Sequence, residues 1–69
     1  MIEVFKTNVI KQRQAKTLLK ILQGHFNDFK INFDLSDCDK VLRVQGTGIS
    51  AEEIIELVRT NGYQCEVLV

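Results

Sequence analysis

Sixty-nine residues, 45% hydrophobic and 26% charged, describe one small globular domain spanning 1–69, too short to enclose a deep cleft beneath a water-excluding lid. That argues against a complex enzyme, and a chain of this size buries only about 60% of the surface its unfolded form exposes. Nine Lys and Arg balance nine Asp and Glu, so the overall positive field that nonspecific nucleic-acid binding needs is missing.

The first segment, 2–7, reads as a strand with Ile2 and Val4 toward a core and Phe5 turned the other way. The period then changes. Ala15, Leu18, Leu19 and Leu22 fall at i, i+3, i+4 and i+7, which predicts an amphipathic helix over 11–23, capped by Thr7 or Asn8 and ended by Gly24. Phe29, Ile31, Phe33 and Leu35 alternate with Lys30, Asn32 and Asp34, a clean strand pattern. Ser36-Asp37-Cys38-Asp39 forms the turn that follows, because Ser and Asp side chains bond their own nearby backbone. A third strand over 40–45 places Leu42 and Val44 inward, and Gly46-Thr47-Gly48 breaks it. Ser50 and Glu53 make a capping box ahead of the apolar stripe Ile54, Ile55 and Val58, and Asn61-Gly62 stops that second helix. Tyr63, Cys65, Val67 and Val69 alternate with polar and apolar neighbours as a fourth strand.

The order strand, helix, strand, strand, helix, strand predicts an α+β fold, the ferredoxin-like βαββαβ sandwich. Each helix is a crossover, so both bury their stripes on one face of a four-stranded antiparallel sheet and leave the other face open.

Cys38 and Cys65 are far apart in sequence, and a disulfide-stapled secreted domain this small carries four or more cysteines. The start is too short and too charged for a signal peptide, and no apolar run approaches the ~20 residues of a membrane span. The expectation is a cytoplasmic protein with free thiols that engages neither membrane nor nucleic acid. RNA binding on this topology also requires aromatic residues on the exposed central strands, and the third strand has none.

The chain end Ile55-x-x-Val58-x-x-x-Gly62-Tyr63-x-x-x-Val67, with the length and element order, resembles a heavy-metal-associated domain, the module of copper chaperones and of P-type ATPase tails. The resemblance implies a Met-x-Cys-x-x-Cys loop before the first helix, where two thiolates hold a soft cation such as Cu(I). Aligning the helix stripes puts Lys6 where the methionine belongs and Asn8 and Lys11 where the two cysteines belong. Asn is a weak neutral ligand and a lysine ammonium has no lone pair to give, so the chain reads as a degenerate member without the family's metal chemistry. The resemblance also implies that Tyr63 packs over this loop, within reach of Asn8 or Thr7.

Among the remaining candidates, Lys11, Arg13, Lys16 and Lys20 form a basic run on the first helix. Lys11 and Arg13 near its N-terminus oppose the helix dipole, which suggests a docking face for an anion or an acidic protein, with Asn8 and Tyr63 beside it. Glu52, Glu53 and Glu56 make the second helix acidic at its start, and the opposite charges of the two helices favour a homodimer. Asp34, Asp37 and Asp39 surround Cys38 without the spacing of a calcium loop. Cys65 reads as a small core residue. His25, the sole histidine, has no acid or nucleophile beside it in sequence. The leading function is a non-enzymatic binding module without a cofactor. One alternative is metal or redox handling through Cys38 and Cys65. The other is small-ligand sensing of the ACT type, for which Gly46-Thr47-Gly48 is the hook.

Overall fold

The computed structural model describes residues 1–68. Its elements are β1 (Ile2–Thr7), α1 (Gln12–His25), β2 (Lys30–Asp34), β3 (Val41–Gln45), α2 (Ala51–Thr60) and β4 (Cys65–Val67). The strands form one antiparallel sheet in the order β2-β3-β1-β4, so the two β-α-β units interleave as in a ferredoxin-like sandwich.

One face of this sheet carries the core. Phe5 pairs with Leu42 and Val67, Leu42 pairs with Phe33, and Val44 pairs with Ile31, so these side chains share a face. Phe5, Leu42 and Val44 are fully buried there against Ala15, Leu18 and Leu22 of α1 and Ile54 and Val58 of α2. Removing each such side chain from water contributes about 1.5–3 kcal/mol. The register of β1 is the reverse of the one expected. Ile2 is 56% exposed, Val4 lies half-buried on the outer face, and Phe5 and Thr7 point inward. Thr7 can sit in the core because its hydroxyl is satisfied twice. It donates to the Lys40 carbonyl at 2.6 Å and accepts the Val9 amide at 3.2 Å.

Neither Thr7 nor Asn8 caps α1. Its N-cap is Lys11, whose amide donates to Gln14 Oε1 at 3.1 Å, the reaching-back half of a capping box without an acceptor on Lys11 itself. Gly24 does not end the helix either. The last turn runs through it to His25, and the Phe26 amide closes onto the Leu22 carbonyl at 2.8 Å. The second helix follows its sequence closely. Ser50 Oγ accepts the Glu53 amide at 3.4 Å, and Gly62 takes φ +94°. The amides of Gly62 and Tyr63 then close onto the carbonyls of Arg59 and Val58, the double bond of a Schellman cap.

Lys40 opens the expected third strand but takes φ +48°, so the strand begins at Val41. Three contacts hold this conformation. The Lys40 amide donates to the Asp37 carbonyl at 3.0 Å, its Nζ donates to the Leu35 carbonyl at 3.0 Å, and its own carbonyl receives Thr7. The fourth strand is shorter than its alternation suggests. Tyr63 is half-buried ahead of it, and Val69 lies outside the described residues.

The outer sheet face carries Ile2, Val4 and Lys6 of β1 beside Gln45, Arg43 and Val41 of β3. It bears no aromatic side chain on these two central strands. Val41 is buried there although it lies outside the core cluster. No helix of the described residues is long and apolar enough to cross a membrane.

Candidate functional site

The segment from Lys6 to Lys11 that replaces the expected metal loop is built into the fold residue by residue. Lys6 is the last outward-facing residue of β1 and is exposed. Thr7 is the buried, doubly bonded residue described above. Asn8 is exposed, and its Oδ1 accepts the Gln64 amide at 2.8 Å, a bond spanning 56 positions of sequence. Val9 is fully buried and plugs the core beneath. Ile10 is 69% exposed, and Lys11 is the exposed N-cap whose amide is held by Gln14.

Of the positions the family would use as ligands, Asn8 is therefore a strap between the first loop and the start of β4, and Lys11 starts a helix. The strap lands one residue after Tyr63. The donor is the backbone of Gln64, and the expected bond from Tyr63 to Thr7 or Asn8 is not made among the described residues.

Arg13, Lys16 and Lys20 are exposed on α1 with Lys11. The first turn of this helix holds no acidic residue, so nothing there offsets cations at the positive end of the dipole.

The two cysteines are not brought together. Cys38 is exposed in the turn and Cys65 is buried. Thr7 pairs with Cys65 on one side and bonds the Asp39 carbonyl at 3.1 Å on the other. Asp39, next to Cys38, is thus two strand spacings from Cys65, roughly 10 Å. Both thiols are free. Burial, aided by the Glu66 carboxylate, pushes the Cys65 thiol up to about 12, so it remains protonated and inert.

The turn does bring Asp37, Cys38 and Asp39 together, with one potential ligand atom of each within 4.8 Å of the others. The aspartates of this region also serve the turn. Asp37 Oδ1 accepts the Asp39 amide at 2.9 Å, and Asp34 Oδ1 accepts both the Ser36 amide at 3.2 Å and the Ser36 hydroxyl at 2.6 Å. The Ser36 hydroxyl holds the Asp34 carboxyl below its usual range. A soft thiol and two carboxylates, exposed Asp37 and half-buried Asp39, match neither a soft-metal nor a hard-metal shell.

Two grooves flank the helices. One, of about 620 Å³, lies along β4 and α2 and includes Lys6, Ile55, Arg59, Glu66 and Val67. The other, of about 580 Å³, lies between the end of α1 and the face of α2. Glu52, Glu53 and Glu56 line it with His25, Phe26 and Leu57. Sequence reading noted His25 and the three glutamates separately. Only the antiparallel placement of the helices sets them around one groove. The Gly46 hook for a small ligand is filled: a Cβ there would stand 2.5 Å from Phe29 Cδ1, and the Phe29 ring stacks on Phe26 with centroids 5.6 Å apart.

Compared with protein-family models, with curated proteins and with solved structures, the chain matches none of them.

Proposed function

We propose that this chain is a non-enzymatic docking module of heavy-metal-associated-like design, in which the metal loop has become a structural strap and the basic face of α1 meets an acidic protein surface. The observation that carries this reading is the Asn8 Oδ1 bond to the Gln64 amide at 2.8 Å. A side chain at a ligand position of the resembled family spends its acceptor on holding two segments together. Val9 fills the space beneath it, and Lys11 at the second ligand position is a cation that repels metal ions. What the loop leaves on the surface is positive charge: Lys11, Arg13, Lys16 and Lys20 in sequence along one exposed helix.

Two measurements test the two halves. Reduced protein is titrated with Cu(I) and Zn(II) against a competing chelator, and no competition is expected. A dissociation constant at or below micromolar, about 8 kcal/mol, that weakens in Cys38→Ser would overturn the metal-free reading and locate a site in the Asp37–Asp39 turn. Separately, a polyglutamate peptide is added and backbone amide shifts are followed. Perturbation confined to α1 supports the docking face. Shifts centred on the open sheet face or on β4 would refute it.

A further inference from the structure

We propose that the acidic surface recognised by α1 is α2 of a second copy of this chain, so that two molecules stack their helix layers about a twofold axis parallel to the helices. The proposal rests on the docking reading and names its partner.

The argument begins with spacing. Ala15, Leu18 and Leu22 turn one side of α1 into the core. Arg13, Lys16 and Lys20 recur at i, i+3 and i+7 on the opposite, solvent side, and all are exposed. Ile54 and Val58 do the same for α2, leaving Glu52, Glu53 and Glu56 exposed. Among the described residues none of these six side chains is engaged in a hydrogen bond. Lys16 and Lys20 are four residues apart, as are Glu52 and Glu56, and at 1.5 Å rise per residue both pairs span about 6 Å. The strands that feed the helices, β1 and β3, are antiparallel, so α1 and α2 run in opposite directions. With α1 of one copy laid on α2 of another in that sense and Lys16 set at Glu56, the equal spacing also sets Lys20 at Glu52.

Symmetry makes the match closed. A twofold axis in the plane between two helix layers and parallel to the helices sets each α1 over the other copy's α2, so the lysine–glutamate register occurs twice. The other in-plane twofold, perpendicular to the helices, would set α1 on α1 and face cations with cations. The charge pattern therefore selects one dimer and rejects the other.

Three further observations fit a second copy. The groove beside the glutamates has an apolar floor from half-buried Phe26 and Leu57, which suits the aliphatic stem of a lysine whose ammonium reaches the carboxylates. The net charge is zero, so two copies approach without overall repulsion. Apposed carboxylates would also offset the unfavourable placement of cations near the α1 N-terminus, whose first turn holds no acidic residue.

The test is sedimentation equilibrium of the whole chain up to millimolar concentration, from about 10 mM ionic strength (Debye length ~30 Å) to about 1 M (~3 Å). The wild type is expected to dimerise at low salt and weaken at least tenfold at high salt, about 1.4 kcal/mol. K16E/K20E and E52K/E56K are each expected to be monomeric, because each repels itself at both contacts. An equimolar mixture of the two is expected to dimerise again, because every contact in the heterodimer is complementary. The control K30E/R43E, on the sheet's outer face, changes net charge as much as K16E/K20E does and leaves the dimer intact. A wild type that remains monomeric at low salt overturns the proposal, as does a dimer that survives either helix variant or is dissolved equally by the control. The polyglutamate mapping is independent of these outcomes, so the docking face and the identity of its partner fail separately.

Discussion

Replacing Asn8 with alanine removes the side-chain bond that ties the first loop to the entry of β4. The Oδ1 to Gln64 amide distance is 2.8 Å, and both residues are exposed, so water can replace the lost acceptor. The net cost is then that of an ordinary hydrogen bond, about 0.5–1.5 kcal/mol, without the larger penalty of a buried unpaired amide. For a domain of this size about 1 kcal/mol lowers the melting midpoint by roughly 4–8 °C. The local readout is sharper than the global one. Hydrogen exchange at the Gln64 amide should accelerate in Asn8→Ala, while amides in the core strands change only by the shared loss of stability. Asn8→Asp keeps an acceptor at the same place and should preserve Gln64 protection at neutral pH. If Gln64 exchanges at the same rate in wild type and Asn8→Ala, the strap does not exist in solution, and the account of the first loop fails with it.

Two further predictions concern the core. Gly46→Ala puts a Cβ 2.5 Å from Phe29 Cδ1, so the ring must leave its stacked position on Phe26 at a cost of about 1–3 kcal/mol; urea denaturation of Gly46→Ala and of Gly46→Ala/Phe29→Leu should show the second change recovering part of the first. Cys65 holds its proton more tightly folded than unfolded, its thiol being raised from an ordinary 9.0 to about 12. Its contribution to stability is therefore complete below pH 9 and declines as pH rises from about 9 toward 12. Denaturation midpoints measured across that window should fall more steeply in wild type than in Cys65→Ala, and equal slopes would refute the assignment.

The order of elements was legible because each helix stripe and the β2 alternation stand on strong apolar periodicity. The α2 caps were legible for a chemical reason: the Ser50 hydroxyl accepts the Glu53 amide and Gly62 takes the left-handed turn, although the Glu53 side chain does not close the expected capping box. The β1 register was not legible. Ile2 and Val4 offer one apolar phase and Phe5 the other, and the tie is broken by Thr7, a polar residue that becomes a core residue only because Lys40 and Val9 satisfy its hydroxyl. Both partners come from turns whose conformation a pattern search does not see, and Lys40 is held in a left-handed conformation that few lysines adopt. The start of α1 misled for a related reason. Thr7 and Asn8 are good caps by type, but both acceptors are committed elsewhere, to Val9 and to Gln64, and Gln14 reaches back to serve Lys11 in their place.

The same commitments account for what the loop can do. A metal loop needs flexible donors whose lone pairs are free until the ion arrives. Here the acceptor of Asn8 is spent, Thr7 is buried and doubly bonded, Val9 is in the core, and Lys11 carries a charge of the wrong sign. Thr7, Asn8 and Val9 also stabilise the fold, so Asn8→Cys would forfeit the strap and still lack a second thiol at position 11. The side chains of Thr7, Asn8 and Val9 are thus committed to the fold itself.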